Sequence, residues 1–441
     1  MTSRPVLTNW AGNVRYGADV IHRPNSLDEL RDIIVRADRV RATGTGHSFN
    51  LVGDAASATG SSATPGDLVS LAAMPTVIQI DQTGRSVTVG GGVSYARLAD
   101  ELHRAGFGLH NMASLPHISV AGAVATGTHG SGPRNGNLAT AVTEIEFVTA
   151  DGEQMTWSRD NASDDGTEAF SGCVVALGAL GVVTRLTLRI EPTYEVAQSV
   201  YEGLAWHRLA ADFDEVMSSG YSVSVLTKWT PPRANYVFRK LRVGGNGGGE
   251  RPAPAMWLDA KLADGERHPV IGLAPDPCTP QLGVPGPWHE RLPHFRPEFT
   301  PSVGAEVQSE FFVDREHAAA AIDAVREIGA LIDPLLMVSE LRTVAADDLW
   351  LSPAYRRDSL AIHFTWVDDV PGVTAVLPVI EQRLAPFAPR PHWGKLFTMQ
   401  PDAVAASYER LTEFGRLRLR LDPTNKFGND FVDRYAPATS R

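Results

Sequence analysis

Residues 41–50 of the chain read RATGTGHSFN, and this stretch decides the fold class when it is taken with two later glycine-rich segments. Two glycines alternate with two threonines, and His47 closes the loop. A Gly-Thr-Gly backbone can approach a ligand closely because glycine carries no Cβ atom. Taken alone, the ring of His47 is more simply explained as a loop histidine that caps backbone groups, so the residues of this loop do not by themselves assign it a chemical role.

Two further glycine-rich segments lie downstream. Gly90–Gly92 is followed by Tyr95 where a dinucleotide fingerprint would need glycine, and no phosphate-loop motif is present. Residues 111–132, NMASLPHISVAGAVATGTHGSG, contain four glycines and stay small and polar after Val124. Such a segment is either a tightly packed loop or a surface that presents backbone N–H groups to phosphate oxygens. With residues 43–48 it indicates a dinucleotide held by neither a Rossmann nor a P-loop fold.

Length and composition exclude several classes of protein. The 441 residues fit two or three domains, and the formal net charge of −11 argues against nucleic acid or an anionic membrane as the partner. Cys173 and Cys278 cannot form a disulfide framework or a zinc site. The amino terminus has no apolar signal region, and no run of 18 apolar residues occurs. We therefore expect a cytoplasmic protein that does not cross a membrane, and we expect it to be a monomer.

Periodicity predicts an α+β organisation. Helices are predicted over residues 24–39 and from 95 onward, with strands over 76–81, 86–89, 143–149 and 181–192 and a mobile surface insertion over 55–66. Residues 305–313, 315–329, 336–344, 359–367 and 372–386 predict strand, helix, strand, strand and helix, an antiparallel sheet backed by helices. We place domain boundaries near residues 192 and 398, giving segments 1–192, 193–398 and 399–441.

Polar residues recur at two-residue spacing in two of the predicted strands. Glu340 and Arg342 share one strand face, and His363 and Thr365 repeat the spacing on the next strand. Lys395, in HWGKL, adds a cation. The carboxylate and the guanidinium either point into one cavity or form a surface ion pair. Five other histidines (His103, His110, His117, His289 and His294) have no metal-ligand spacing, so we predict no metal site and assign them no role.

The chain resembles a known family at three segments: RATGTGHSFN, GGGVSYARLADEL and SLPHISVAGAVATGTHGSG are similar to the flavin domain of the vanillyl-alcohol-oxidase-type flavoproteins. The later SELRT, AIHFTW and PHWGKLF are most similar to the alditol (xylitol) oxidases, close to the sugar-lactone oxidoreductases. The resemblance implies an FAD-binding domain of the PCMH type in two parts, with residues 399–441 returning to it after a substrate-binding cap domain.

The resemblance also implies a cofactor site for FAD. His47 would be the covalent attachment point, through a ring nitrogen to the 8α-methyl group of the flavin, with Thr43–Ser48 around the pyrophosphate. Val183 would lie at the adenine side, and His392 would reach the cofactor from the second domain. The implied FAD-binding residues are Thr43, Gly44, Thr45, Gly46, His47, Ser48, Ser114, Ser119, Gly122, Ala125, Thr126, Gly127, Thr128, His129, Val183 and His392.

The implied reaction is hydride transfer from the terminal carbinol of an alditol such as xylitol or sorbitol to flavin N5, with O₂ as acceptor, giving an aldose and hydrogen peroxide. The implied substrate-binding residues are Ser114, Glu340, Arg342, Thr365 and Lys395, and the implied catalytic residues are Glu340, Arg342, Lys395 and His363. Arg342 and Lys395 would stabilise developing negative charge.

Three alternatives stay open. One is a sugar-1,4-lactone oxidase or dehydrogenase of the gulono or galactono type. Another is a dehydrogenase that passes electrons to a quinone or a cytochrome, since oxygen access depends on small residues beside the flavin such as Ala113. The third is a flavin-binding protein without catalysis, in which Glu340, Arg342 and Lys395 would have no common purpose.

Overall fold

A computed structural model describes residues 7–18, 20–56, 66–160, 166–244, 253–299 and 305–440. In chain order, its strands are β1 (Ile21–His22), β2 (Val40–Ala42), β3 (Asp67–Val69), β4 (Ile78–Asp81), β5 (Ser86–Gly90), β6 (Phe107–Gly108), β7 (Val142–Val148), β8 (Gln154–Ser158), β9 (Val182–Arg189), β10 (Glu191–Pro192), β11 (Glu195–Ala205), β12 (Ser222–Thr227), β13 (Arg233–Val243), β14 (Met256–Trp257), β15 (Ala260–Leu262), β16 (Gly286–Pro287), β17 (Glu306–Asp314), β18 (Leu336–Val344), β19 (Ser359–Val367) and β20 (Arg390–Pro391).

The helices in chain order are α1 (Leu27–Arg36), α2 (Tyr95–Arg104), α3 (Val120–Ala125), α4 (Gly166–Val174), α5 (Trp206–Ala211), α6 (Phe213–Ser218), α7 (Ala318–Arg326), α8 (Gly329–Ile332), α9 (Val370–Leu384), α10 (Pro401–Ser407), α11 (Leu411–Leu421) and α12 (Asp430–Tyr435). In the part of the chain that the structure describes, none of them is long and apolar enough to span a bilayer.

The amino-terminal half contains a five-stranded antiparallel sheet in the order β4-β5-β9-β7-β8. On β5, Val87 and Val89 are fully buried and alternate with half-buried residues, the period of a strand with one covered face. This sheet confirms the strands predicted in this region and the hairpin turn between β7 and β8. A smaller parallel sheet, β1-β3-β2, lies beside it, and β2 leads directly into the loop that holds His47.

The second half forms a ten-stranded antiparallel sheet in the order β14-β15-β11-β13-β12-β18-β19-β17-β20, with β16 paired to β11. Its elements β17, α7, β18, β19 and α9 confirm the predicted strand–helix–strand–strand–helix order. On β17 and β19, Phe311, Ile362 and Trp366 are fully buried in the main core, to which α7 and α9 also contribute. The side chains that alternate with them point to the other face, which carries the site described below.

The carboxyl-terminal residues return to the amino-terminal half. Asn429 Nδ2 donates to the carbonyls of Leu51 and Asp54 at 2.9 and 2.7 Å, and the Arg41 guanidinium donates to the Phe427 carbonyl at 2.6 Å. The chain passes from the five-stranded sheet into the large sheet between β9 and β11. The division into segments 1–192, 193–398 and 399–441 remains a prediction. Most of the predicted insertion over 55–66 lies outside the described residues, which leave out 57–65.

Candidate functional site

Two cavities meet at the loop that holds His47. A polar cavity of about 230 Å³ lies against the large sheet, and a glycine-lined cavity of about 220 Å³ lies against the amino-terminal half. Residues common to both linings are His47, Ile118, Thr126 and Thr128. A long ligand can therefore extend from one cavity into the other past His47.

Several glycines of the glycine-lined cavity pack against neighbouring residues with no room for a side chain. A Cβ atom on Gly44 would lie 2.3 Å from Ser119 Oγ, and one on Gly122 would lie 2.7 Å from the same oxygen. A Cβ atom on Gly91 would lie 2.3 Å from the Val183 carbonyl oxygen. At these distances a side chain would clash with its neighbours, so these positions require glycine, and the backbones of residues 43–48, 91–92 and 119–125 can line the cavity directly. This arrangement fits a dinucleotide such as FAD.

The charge of the glycine-lined cavity fits the same group. Among the described residues that line it, none is acidic, and Arg41 is buried at its edge. Arg41 donates to the carbonyls of Leu177 at 2.6 Å and Gly178 at 3.1 Å, and also to those of Val52 and Phe427. Burial lowers the pKa of Arg41 to about 10, so the guanidinium stays charged at neutral pH. A buried cation at the edge of a cavity whose described lining contains no carboxylate favours an anionic ligand such as a pyrophosphate.

The structure brings nearly all the implied FAD-binding residues to these two linings. They are Thr43, Gly44, Thr45, Gly46, Ser48, Ser119, Gly122, Ala125 and Val183 in the glycine-lined cavity, Ser114, His129 and His392 in the polar cavity, and His47, Thr126 and Thr128 in both. Gly127 is the exception, since it follows α3 with a positive φ of 69° and faces Pro353. Gly127 thus permits the turn that ends α3 and lines neither cavity.

His47 is held where the cavities join. The Trp10 indole stacks on its ring at a centroid distance of 4.7 Å, and its Nδ1 lies 3.3 Å from the Thr45 hydroxyl. Burial and the nearby His117 lower the pKa of His47 to about 4, so its imidazole is neutral at pH 7. A neutral imidazole carries a free lone pair and can act as a nucleophile.

The same loop is tied to the segment that carries Lys395. The Phe49 amide donates to the Gly394 carbonyl at 2.7 Å, and Asn50 Nδ2 donates to the Trp393 and Lys395 carbonyls at 2.9 and 2.7 Å. Residues 41–50 therefore line the glycine-lined cavity at one end and contact the HWGK segment at the other, so they connect the two parts of the site.

Strand register assembles the polar wall of the first cavity. Glu340 on β18 lies opposite His363 on β19, which lies opposite Glu310 on β17. One step along the same face, Thr365 on β19 lies opposite Gln308 on β17. The implied catalytic and substrate-binding residues all line this cavity: Ser114, Glu340, Arg342, His363, Thr365 and Lys395.

Glu340 and Arg342 form a buried pair rather than a surface one. The Arg342 guanidinium donates to Glu340 Oε2 and to Ser114 Oγ, and His294 Nε2 lies 2.8 Å from Glu340 Oε1. Burial opposes ionisation of Glu340, but Arg342 and His294 outweigh it and hold the Glu340 pKa well below its ordinary value. Glu340 is therefore an ionised hydrogen-bond acceptor at neutral pH.

A second buried pair lies across His363, and the sequence analysis missed its acidic member. Glu310 Oε2 lies 2.7 Å from Lys395 Nζ, and Glu310 Oε1 lies 3.1 Å from His129 Nε2. Burial opposes ionisation of Glu310 too, yet Lys395 and His129 hold its pKa well below the ordinary value. Glu306, Gln308 and Glu310 recur at two-residue spacing along β17, and this signal could have identified Gln308 and Glu310.

Hydrogen bonding defines the tautomer of His363. Gln308 Nε2 donates to Glu306 at 2.7 Å, which turns the Gln308 carbonyl oxygen toward His363 Nε2 at 3.1 Å. The proton of His363 therefore lies on Nε2, and Nδ1 is a buried acceptor without a protein partner among the described residues. Burial and Lys395 hold the pKa of His363 well below its usual value, so the ring stays neutral.

His294 is the second residue that sequence reasoning missed. It lies in a proline-rich segment 46 positions from Glu340, and its side chain is buried in the wall of the polar cavity. No periodic sequence pattern predicts a contact between a residue in such a loop and a strand residue 46 positions away. His392 lines the cavity as implied, and its Nδ1 accepts from the Gly394 amide at 3.0 Å, which leaves its proton on Nε2.

Acid should destabilise the protein through these buried rings. Burial lowers the pKa of His294 to about 4 and of His392 to about 3, whereas an unfolded histidine titrates near 6.5. Between about pH 6.5 and pH 4 the unfolded chain binds more protons, so stability falls as pH falls, by about 1.4 kcal/mol per pH unit for each ring. His392→Asn keeps an acceptor for the Gly394 amide. The variant should therefore lose less stability on acidification than the wild type, by the contribution of one ring.

The check is urea unfolding of wild type and variant at about pH 7 and pH 4.5. The exposed His207 supplies the control His207→Asn, which should track the wild type at both pH values. An equal loss of stability on acidification in wild type and His392→Asn would contradict the prediction.

Over the described residues, no three His, Cys, Asp or Glu side chains come together in a way that could hold a metal ion. The polar cavity instead offers ionised acceptors in Glu340 and Glu310, cationic donors in Arg342 and Lys395, and the neutral ring of His363. Such a wall can bind several hydroxyl groups and stabilise an alkoxide.

Comparisons with known proteins agree with this geometry. A family model described as an FAD binding domain matches residues 18–158, and one described as D-arabinono-1,4-lactone oxidase matches residues 305–435. An L-gulono-1,4-lactone dehydrogenase of Mycobacterium tuberculosis is 29% identical over 98% of this chain and 99% of its own length. The crystal structure of cholesterol oxidase from B. sterolicum superposes with a TM-score of 0.76 at 16% identity, covering 99% of both chains, and shows the fold.

A higher identity is found with an alditol oxidase from Streptomyces sp., which is 48% identical over 97% of this chain and 98% of its own length. This similarity covers the loop of His47, the glycine-rich segments and all the strands of the polar wall. The chain is therefore an FAD-binding oxidoreductase and belongs to the alditol oxidase family.

Proposed function

We propose that this enzyme oxidises the terminal hydroxyl group of alditols such as xylitol and sorbitol to the aldose, with O₂ as acceptor and hydrogen peroxide as the second product. The observation that carries the proposal is the polar wall, where Ser114, Glu340, Arg342, Thr365 and Lys395 converge on one cavity. A linear polyol presents a hydroxyl on every carbon, and a wall of ionised acceptors and cationic donors matches that pattern.

Each residue has a separate task in this proposal. Glu340 accepts hydrogen bonds from substrate hydroxyls, while Arg342 and Ser114 donate to them. Lys395 pairs with Glu310 at 2.7 Å and stabilises the alkoxide that forms as the reacting hydroxyl loses its proton. His363, whose neutral ring lines the cavity between the two buried pairs, is the candidate acceptor of that proton. When bound, FAD supplies the hydride acceptor.

We propose further that FAD is covalently attached to His47. The position of the ring at the junction of the two cavities and its neutral state at pH 7 support this. After acid precipitation of the purified protein, yellow flavin should remain with the chain, and in His47→Ala it should stay in the supernatant. Flavin in the supernatant of the wild type would contradict the covalent bond but not the binding of FAD.

Turnover of xylitol or sorbitol against L-gulono-1,4-lactone tests the substrate. The match of residues 305–435 to a lactone oxidase model favours the lactone as the second candidate. We expect turnover of the linear polyols at least tenfold above that of the lactone, because a ring cannot extend all its hydroxyls along the polar wall. Faster oxidation of the lactone would reverse the assignment.

Peroxide yield tests the acceptor. The small Ala113 lines the polar cavity beside Ser114 and leaves room for O₂. One hydrogen peroxide per aldose formed is the expected result; turnover that requires an added quinone or cytochrome would identify a dehydrogenase.

We also propose that the enzyme is cytoplasmic, which its two free buried cysteines support. We propose that it is a monomer, which size-exclusion chromatography tests.

A further inference from the structure

A short segment, residues 292–295, contacts two residues of the polar wall at once. The backbone amides of His294 and Phe295 lie 3.2 and 3.3 Å from the Ser114 carbonyl oxygen. The His294 imidazole lies 2.8 Å from Glu340. The segment therefore connects Ser114, which comes from the amino-terminal half, with Glu340 on the large sheet.

Buried donors from neighbouring elements hold this segment. Lys240 on β13 is 2% exposed, and burial lowers its pKa to about 7. Its Nζ donates to the carbonyls of Leu292 at 2.6 Å and Pro293 at 3.3 Å. The Thr279 hydroxyl donates to the Pro293 carbonyl at 2.7 Å, and the Thr279 amide donates to the His294 carbonyl at 2.9 Å. Bonds on both sides of His294 leave its ring little freedom to move.

The ring in turn orients the Glu340 carboxylate. Burial lowers the pKa of His294 to about 4, and an ionised carboxylate only accepts, so the neutral ring carries its proton on Nε2 and donates it to Glu340 Oε1. Arg342 donates to Oε2. Each carboxylate oxygen has two lone pairs, so one on each oxygen remains for hydroxyl groups in the cavity.

We propose that His294 is a positioning residue: held by Lys240 and Thr279, it fixes the orientation of Glu340 and so sets the affinity for the substrate. The proposal rests on the proposed function of Glu340 in binding polyol hydroxyls. His294 acts through Glu340, so its loss should weaken binding more than it slows the reaction.

The experiment compares two substitutions with a matched control. His294→Leu removes the donor and should raise KM for xylitol about 10- to 100-fold while kcat stays within about threefold. His294→Gln keeps an N–H donor and should stay within about threefold of wild type. His289→Leu changes a histidine of the same proline-rich stretch, whose ring contacts Trp288 and His103, and should leave both constants unchanged.

The pH profile gives a readout that a merely structural role would not change. His294→Leu should move the acid limb of kcat/KM to higher pH, because Glu340 loses a donor to its ionised form. His294→Gln and His289→Leu should keep the wild-type profile. An unchanged KM in His294→Leu, or a loss confined to kcat, would overturn the proposal.

A second measurement does not depend on the substrate. In ¹⁵N-histidine spectra of the holoenzyme, the His294 signal, assigned by its absence in His294→Gln, should show a neutral ring with the proton on Nε2 from pH 8 to pH 5.5. A ring that titrates near the ordinary histidine pKa would overturn the positioning role. If the wild type oxidises no linear polyol, the proposed function fails. The spectrum still decides whether the His294 ring holds its Nε2 proton and donates it to Glu340.

Discussion

Replacing Arg342 with methionine is expected to lower kcat/KM for xylitol by about 10²- to 10³-fold. The change removes a cationic donor to the substrate and also leaves Glu340 buried with His294 as its remaining charge-stabilising partner. Breaking a buried pair by removing one member costs about 3–5 kcal/mol, because the other charge is left uncompensated. Steady-state kinetics on protein with its full flavin content measures the loss.

Two further variants show whether this loss belongs to the site. Arg342→Lys keeps the charge but cannot hold Ser114 and Glu340 with one planar fork, so an intermediate loss of about tenfold or more is expected. Arg383→Met breaks an exposed ion pair with Glu327, 47% and 62% exposed, and should change kcat/KM less than twofold. A folded, flavin-loaded Arg342→Met variant within tenfold of wild type would contradict the proposed role of Arg342.

The second large effect is expected at Lys395, whose partner Glu310 is 1% exposed. Lys395→Met should lower kcat about 10²- to 10³-fold, because the cation that stabilises the alkoxide is gone. It should also lower stability by about 3–5 kcal/mol, because Glu310 is left without its closest counter-charge. Kinetics and urea unfolding measure these two consequences separately.

The double variant Lys395→Met with Glu310→Gln distinguishes a catalytic role from a structural one. Glutamine keeps an acceptor for His129, and the pair then contains no buried charge, so most of the stability should return. Activity should not return, because the cation is still missing. Recovery of activity together with stability would show that Lys395 only holds the fold in place.

Much of this arrangement could be predicted from local pattern. The two-residue period of SELRT and AIHFTW placed Glu340 with Arg342 and His363 with Thr365 on common strand faces, and the register of β18 and β19 confirms it. The same period in EVQSEFFV carried Glu306, Gln308 and Glu310, which were missed because alternating polar residues in a strand also fit a solvent-exposed face. Gly127 lies in a segment with the composition of a ligand-binding loop, but its positive φ permits the turn that ends α3.

By itself, the sequence determined the order of strands and helices, the glycines that line the second cavity, and the family, since each of these depends on residues close together in the chain. Only the tertiary structure decided which polar side chains pair. His294 and Glu340 are 46 positions apart, and Glu310 and Lys395 are 85 apart. Such contacts arise from sheet register and from a loop held by Lys240, and no local periodicity encodes them, because side chains interact through distance in space and not along the chain.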